Sequence, residues 1–205
     1  MERSVFLAGV RSRLAGVEKP ASAVPPDWAV EIDDPVARFA AELTAVGGKV
    51  QRTTEADAPW VLAEWPGSTV VIDDEPGVPE GLADVVRRSG GRVHEWPSSA
   101  QEIARDVDVG VTSALWGVAE TGSVLVSSAP PGGRSPGLVP PVHVVFLPTG
   151  RIVPTTAELF ARIAAMEDRP SALTLVTGPS KSADIGNELM VGVHGPGEFY
   201  VILVE

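Results

Sequence analysis

The fold class is predicted from the stretch at residues 69–111, which reads TVVIDDEPGVPEGLADVVRRSGGRVHEWPSSAQEIARDVDVGV. Its predicted elements, in order, are a strand at 69–72, a helix at 79–89, a strand at 92–95, a helix at 98–106 and a strand at 107–111. Pairs of glycines, acidic turns and a serine cap separate these elements. Strands that alternate with helices of about ten residues are typical of a largely parallel sheet covered on both faces.

After residue 111 the regular alternation of strands and helices ends, and predicted strands predominate. One long helix is predicted at 155–167, among strands at 123–127, 142–147, 172–177, 189–193 and 199–204. Successive strands without intervening helices indicate antiparallel additions, so we expect an α/β protein with a mixed, mostly parallel sheet. Residues 1–50 contain two predicted helices and an irregular connector. We interpret them as an N-terminal helical accessory segment, attached to one α/β domain at 51–205.

The charge balance limits the partners of the chain. Its 16 Lys and Arg stand against 27 Asp and Glu, which gives a net charge of -11 over 205 residues. A surface of this charge repels nucleic-acid phosphate, and no cluster of basic residues provides a local exception. We therefore expect no nucleic-acid partner.

Cysteine content and hydropathy narrow the class of protein further. The chain contains no cysteine, so it cannot form a disulfide, a thiolate zinc site or a cysteine-ligated iron–sulfur cluster. Its three histidines lack the spacing of metal ligands, so we expect no metal site. No apolar run approaches the ~20 residues of a membrane span, and the N-terminus lacks the features of a signal peptide. We expect a cytoplasmic protein without a membrane span.

The segment TSALWGVAETGS, residues 112–123, is the first that could carry chemistry. Thr112 or Ser113 could cap a short helix whose free backbone N–H groups face an anion. Glu120 follows at the end of that helical turn, directly before a glycine turn. A carboxylate is poorly placed there for the helix dipole, which indicates a specific partner. The alternative is that Glu120 is a solvated turn residue.

The segment LVTGPSKSADI, residues 175–185, is the second. A strand runs into a loop whose glycine, hydroxyl side chains and one lysine provide donors and a cation suited to a carboxylate or phosphate. It is not a P-loop, because the Gly-Lys-[Ser/Thr] ending is missing. The alternative is a polar turn in which Asp184 accepts hydrogen bonds from nearby backbone N–H groups.

The segment VGVHGPG, residues 191–197, is the third, and again a strand ends in a glycine-rich turn. His194 could serve there as an acid, a base or a donor at neutral pH. The alternative is a packed, hydrogen-bonded loop histidine. His143 lies within a predicted strand, where a sheet residue bonded to a neighbour is the better interpretation.

The signatures of several large enzyme classes are missing. No Gly-x-Gly-x-x-Gly fingerprint follows a predicted strand, and the Gly-x-Ser-x-Gly pattern at 133–137 lies in a Pro/Gly-rich loop rather than in the strand–turn–helix context of a nucleophile elbow. The acidic run at 73–75 is more typical of a solvated turn than of a cation site.

Four segments in this order and spacing resemble one family: VAETGS at 118–123, LVPPVH at 138–143, TGPSKSADI at 177–185 and GVHGP at 192–196. They look like the lactate-utilisation protein C family, whose shared module is the LUD domain. The resemblance is specific over about residues 105–205. It departs from the family at Ser123, where threonine is more frequent, and at Lys181, where arginine is usual and could bind an anion with two parallel hydrogen bonds.

The resemblance implies a fold similar to that of glucosamine-phosphate isomerases, ribose-phosphate isomerases and CoA-transferases. That fold is a three-layer α/β/α domain with its site at strand ends. The resemblance also implies a role in oxidising L-lactate to pyruvate, beside two partner proteins that carry iron–sulfur clusters. A cysteine-free chain fits this arrangement, because it cannot hold such a cluster, and we expect no cofactor on this chain.

Two functions remain open at this point. In the first, the chain is a non-redox subunit, and the three segments meet at one rim of the sheet to bind a small anionic ligand. In the second, it is an independent transferase or isomerase of the CoA-transferase-like fold, in which Glu120 attacks an acyl group. The candidate catalytic residues are Glu120 and His194, and the expected ligand-binding residues are Thr112, Glu120, Thr121, Gly122, Thr177, Gly178, Ser180, Lys181, Asp184, His194 and Gly195.

Overall fold

A computed structural model describes residues 3–17, 31–73, 76–94, 100–127, 134–168, 170, 172–183 and 189–205. Its helices are α1 Arg3–Leu14, α2 Pro35–Ala45, α3 Leu82–Arg88, α4 Ala100–Asp106, α5 Ser135–Leu138 and α6 Thr156–Ala164, with 3₁₀ segments at Ala58–Glu64 and Thr149–Arg151. Its strands are β1 Lys49–Thr53, β2 Thr69–Ile72, β3 Arg92–His94, β4 Val109–Ser113, β5 Trp116–Val118, β6 Ser123–Ser127, β7 Val142–Pro148, β8 Ile152–Val153, β9 Leu173–Val176, β10 Lys181–Ala183, β11 Leu189–Val191 and β12 Glu198–Val204.

A six-stranded sheet in the order β1-β12-β7-β4-β2-β3 forms the centre of the described structure. Every neighbouring pair in it is parallel. The central strands β7 and β12 are near-continuous apolar runs, as expected for strands buried on both faces. The predicted α/β class with a mostly parallel sheet is therefore confirmed.

Alternate residues of the central strands enter two separate cores, one on each face of the sheet. On one face, Val144 and Phe146 pack with the 3₁₀ segment at 58–64 and with α3. On the other, Val145 and Leu147 pack with Phe39 of α2 and with part of a second sheet. This two-sided burial is what makes the domain layered.

The antiparallel strands form their own sheet rather than extending the central one. Its order is β8-β5-β6-β9, with β6 antiparallel to both β5 and β9. Its inner face packs against the central sheet, and its outer face packs against Leu159 of α6. Gly117 permits the close approach, because a Cβ built there would lie 2.6 Å from Leu147. A separate two-stranded ribbon pairs β10 with β11.

The winding of the central sheet reverses between β2 and β4. From β2 the chain moves outward to β3, and from β4 it continues through β7 and β12 in the opposite direction. In open α/β sheets, the carboxyl ends of the two strands at such a reversal leave a crevice. The reversal therefore marks one place where the fold itself leaves room for a ligand.

The two N-terminal helices differ in burial. Phe39 and Leu43 of α2 are fully buried in the core, whereas no residue of α1 is buried. The division that we expected at residue 50 stays a prediction, although α2 packs as part of the domain. None of the helices in the described ranges is long and apolar enough to cross a bilayer.

Candidate functional site

A cavity of about 300 Å³ opens between β9 of the second sheet and the amino ends of β7 and β12. Five of the predicted ligand-binding residues meet in its wall: Thr177, Gly178, Ser180, His194 and Gly195. The remaining lining residues are Gly137, Leu138, His143, Thr174, Leu175, Val176, Pro196 and Phe199. The predicted convergence of the second and third segments is thus present in the structure, while their binding of a ligand stays a prediction.

Backbone hydrogen bonds hold the two converging loops together. The N–H of Ser180 donates to the carbonyl of Pro196 at 2.8 Å, and the N–H of Gly192 donates to the carbonyl of Ser180 at 2.9 Å. Gly195 permits this approach, because a Cβ built there would lie 3.2 Å from the Cβ of Ser180. The Ser180 hydroxyl and the exposed His194 imidazole consequently share one side of the cavity.

His143 forms the inner wall of the cavity. The side chain is fully buried, and Nε2 lies 2.9 Å from Oγ1 of Thr112. Burial lowers the pKa of His143 to about 3, so the ring is neutral at physiological pH. Nδ1 is buried and has no hydrogen-bond partner among the described residues. The bond to Thr112 agrees with the sequence interpretation of His143 as a sheet residue, and its place in the cavity wall is new.

A short chain of hydroxyl groups leads from the first segment to the mouth of the cavity. The Oγ1 of Thr121 lies 2.7 Å from the Oγ of Ser123, which lies 2.6 Å from the Oγ1 of Thr177. Gly122 between them has φ +64°, and a Cβ there would collide with the backbone of Leu43. Thr121 and Gly122 therefore support the wall that Thr177 forms and do not line the cavity themselves.

The carboxylate of Glu120 lies at the start of α6, outside the cavity. Its Oε2 accepts hydrogen bonds from the backbone N–H and the hydroxyl of Thr156 at 2.9 and 3.0 Å. Thr156 is the first residue of that helix, where backbone N–H groups lack partners within the helix and a negative charge is favourable. The helical turn predicted before Glu120 is wrong, because strands β4 and β5 occupy 109–113 and 116–118; the partner of Glu120 is instead the start of α6, which is part of the fold.

The ammonium of Lys181 also points away from the cavity. Its Nζ donates a hydrogen bond to the carbonyl of Val46, which is the C-cap of α2. A cation suits the negative end of a helix. The expectation that Glu120, Lys181 and His194 meet in one hollow is therefore wrong in its geometry: only His194 reaches the cavity.

The last two predicted binding residues have different outcomes. Thr112 lies in β4 rather than capping a helix, because residues 109–113 complete a fully buried strand. It lines a small hollow of about 20 Å³ that shares Gly137, Leu138, Thr174 and Val176 with the larger cavity. Asp184 lies outside the described residues.

Arg134 is not among the predicted site residues, and His143 is predicted only as a sheet residue. Arg134 lines the small hollow beside the cavity and is exposed, and none of the ion pairs within the described ranges involves it. The available signal for His143 was its position as the one ionisable residue in an otherwise apolar strand. Arg134 lies within a Pro/Gly-rich stretch, which gave no local signal. No group of His, Asp or Glu in the described part of the chain could hold a metal ion.

Similarities to known proteins agree with this architecture. The family model described as the LUD domain matches residues 36–204. Lactate utilization protein C from Halalkalibacterium halodurans is 32% identical over 224 aligned residues, which cover 99% of this chain and 97% of that protein. The protein of the same name from Bacillus licheniformis is 36% identical over 156 residues, covering 70% of this chain and 65% of that protein.

A solved structure shares the fold. The crystal structure of a DUF162 family protein from Deinococcus radiodurans matches with a TM-score of 0.64 at 23% identity, covering 86% of this chain and all of that one. At this identity the likeness concerns the architecture alone. The family model and the near full-length relative go further, and on their strength the chain belongs to the lactate-utilisation protein C family of LUD-domain proteins.

Proposed function

We propose that this chain is a cytoplasmic, non-redox subunit of a bacterial system that oxidises L-lactate to pyruvate. The observation that carries the proposal is its similarity, over nearly its whole length, to a protein named for lactate utilisation. Oxidation of lactate to pyruvate releases two electrons and two protons, and a cysteine-free chain cannot build a cysteine-ligated cluster to receive the electrons. Iron–sulfur partner proteins would receive them, while this chain contributes binding and assembly.

The cavity between β9 and the amino ends of β7 and β12 is our proposed binding site for a small carboxylate. Its outer side offers the Ser180 hydroxyl and the His194 imidazole, both of which can donate to a carboxylate. Its inner wall is the neutral ring of His143, whose Nδ1 is enclosed, and the Thr177 hydroxyl at its mouth can pair with a hydroxyl or carbonyl group of the ligand. Arg134 beside the cavity would supply positive charge. A 2-hydroxy or 2-oxo acid carries the matching groups.

The position of Glu120 weighs against an independent acyl transferase. A nucleophilic carboxylate has to face the bound acyl group, whereas two donors of Thr156 hold the carboxylate of Glu120 at the start of α6. Glu120 does not line the cavity in which the other predicted residues meet. We therefore assign it a structural role and prefer the subunit function.

Purification from the native host would test the partnership. We expect a tagged chain, isolated from cells growing on L-lactate, to retain proteins whose electron paramagnetic resonance spectra show reducible iron–sulfur clusters. We also expect deletion of the gene to slow growth on lactate and not on glucose. Recovery of the chain alone, together with unchanged growth on lactate, would refute the proposal.

Ligand binding is tested separately on the purified chain. A ligand at 100 times its dissociation constant should raise the free energy of unfolding by about 2.7 kcal/mol, so L-lactate and pyruvate are suitable thermal-shift probes. The double variant Ser180→Ala/His194→Gln should bind at least about tenfold more weakly. Ser68→Ala, at a serine that does not line the cavity, is the matched control. Equal stabilisation of both variants would contradict the assigned cavity.

A further inference from the structure

A second and larger cavity lies at the opposite edge of the central sheet. Its volume is about 470 Å³, and it is lined by residues that follow the carboxyl ends of parallel strands. Glu55 follows β1, the loop at 77–80 follows β2, Arg151 follows β7, and Val204 ends β12. It shares no lining residue with the cavity that contains His143.

The topology of the sheet favours ligand binding at this cavity. The winding reverses between β2 and β4, and the crevice beyond the carboxyl ends of strands at such a reversal is where open α/β sheets bind ligands. The loop at 77–80, which leaves β2, forms one wall of the cavity. The rule depends on strand order and direction, so it applies here independently of the proposed function.

The wall beside the reversal is held in place by specific contacts. The buried hydroxyl of Ser113, at the carboxyl end of β4, donates to the carbonyl of Pro76 at 3.1 Å. Gly77 has φ +110°, and a Cβ there would lie 3.3 Å from the Cβ of Ser113 and 3.6 Å from Nη1 of Arg151. The glycine therefore lets the loop close over the end of β4 while leaving room for the guanidinium.

Arg151 lines this cavity and has no ion-pair partner among the described residues. Its Nη1 lies 3.5 Å from the carbonyl of Ala114, which orients the guanidinium. No carboxylate among the described residues lies within ion-pairing distance of it. A guanidinium has five N–H donors in a planar fork that matches carboxylate and phosphate oxygens. Most of these donors are thus available to a ligand.

Two carboxylates complete the polar lining. Glu55 and Glu80 are exposed and belong to no ion pair within the described ranges. Ionised carboxylates accept hydrogen bonds only, so they suit hydroxyl groups. The volume lies in the usual range for small-molecule sites. We propose that this carboxyl-edge cavity binds a small hydroxylated metabolite whose phosphate or carboxylate group pairs with Arg151 and whose hydroxyl groups donate to Glu55 or Glu80.

Titration calorimetry with two probes, glycerol 3-phosphate and glycerate, tests this site and distinguishes a phosphate from a carboxylate anchor. We expect at least one probe to bind the wild-type chain, and Arg151→Gln to weaken that binding at least about tenfold. Arg151→Lys keeps the charge and loses the planar fork, so its effect should be intermediate. Arg87→Gln removes the same charge from α3, outside the cavity, and should bind like wild type.

A second readout protects the test against a misfolded variant. The Nε–Hε NMR signal of Arg151 in the wild-type chain should shift saturably with the bound probe. Glu80→Gln should weaken glycerol 3-phosphate more than inorganic phosphate, which has no carbon-bound hydroxyl groups. The double variant Ser180→Ala/His194→Gln should still bind, which separates this site from the one in the proposed function. Absence of binding by both probes, or equal binding by wild type and Arg151→Gln, would overturn the proposal.

Discussion

His143 links the stability of the fold to the candidate site at the scale of a single residue. The ring is fully buried against Phe199, with the ring centroids 5.3 Å apart, and it contacts Thr112 through Nε2. Burial lowers its pKa, because desolvation disfavours the protonated, charged form. A buried neutral imidazole with one unused nitrogen is costly unless something pairs with it. The Nδ1 atom, which has no partner among the described residues, therefore lowers the stability of the fold at the wall of the cavity.

The lowered pKa of His143 predicts a pH-dependent stability. The unfolded chain binds a proton at the ordinary value of 6.5, whereas the folded chain does so only near 3. Stability due to this residue is therefore present above pH 6.5 and is lost as the pH falls from there toward 3. Between about pH 7 and about pH 5 the loss should amount to about 2 kcal/mol.

Urea unfolding of wild type and His143→Asn at these two pH values measures the effect. Asparagine can still bond to Thr112 and does not titrate, so the variant should lose less stability than wild type on acidification. An identical pH dependence in both proteins would show that His143 titrates normally. The three histidines also allow direct titration by NMR, in which the His143 signal should show no step near neutral pH.

At the scale of elements, two predicted ligand residues turn out to stabilise helix ends. Glu120 accepts hydrogen bonds from Thr156, the first residue of α6, and Lys181 donates one to the carbonyl of Val46, the C-cap of α2. Both placements match the sign of the helix dipole. A charged residue beside a glycine turn gives the same sequence signal whether it binds a ligand or a helix end, which is why sequence alone could not separate the two roles.

Replacing Glu120 should destabilise the protein without affecting ligand binding. We expect Glu120→Ala to lower the free energy of unfolding by about 1 kcal/mol, because it removes the carboxylate at the start of α6. Glu120→Gln should cost less, since its amide oxygen can still accept. Glu158→Gln, at a half-buried residue of the same first turn, removes a carboxylate whose partner is Arg162 and so measures the effect of charge in that turn without the contact to Thr156. If Glu120→Ala lost L-lactate binding while its stability stayed unchanged, Glu120 would instead be a ligand-binding residue.

Replacing Lys181 should have a small effect of the same kind. The side chain is exposed, so Lys181→Ala should lower the free energy of unfolding by less than about 1 kcal/mol. Its affinity for L-lactate should stay within about twofold of wild type, because the ammonium does not line the cavity. Titration calorimetry measures this affinity. A loss of L-lactate affinity in Lys181→Ala as large as that in Ser180→Ala/His194→Gln would contradict the role assigned to Lys181.

At the scale of the whole molecule, the sequence predicts what depends on local pattern. The alternation over residues 69–111 gave the α/β class, and the predicted strand at 123–127 coincides with β6. Pairing partners of antiparallel strands depend on contacts that are remote in the chain, so the separate second sheet was not predictable. The loops at 178–180 and 194–196 could be predicted to converge, because each follows a predicted strand and carries polar residues. The wall formed by His143 could not be predicted, because it depends on how β7 packs against remote parts of the chain.

Packing of α5 on the central sheet depends on Gly110 of β4. A Cβ on Gly110 of β4 would collide with the carbonyl oxygen of Pro136 in α5. We expect Gly110→Ala to lower the free energy of unfolding by at least about 2 kcal/mol and to disturb the cavity wall at Gly137. Gly150→Ala is the matched control, because nothing lies within 4 Å of a Cβ there. Equal stabilities by urea unfolding would contradict this packing.

The central claim is that a small carboxylate occupies the cavity between the second sheet and the amino ends of β7 and β12. Long-range ¹H–¹⁵N NMR of the imidazole nitrogens during titration with L-lactate or pyruvate tests it most directly. We expect saturable shifts of the imidazole signals of His194 and of His143 in the cavity wall, while His94, which does not line the cavity, keeps its signals. Unchanged signals of His143 and His194 at high concentrations of both acids would contradict it.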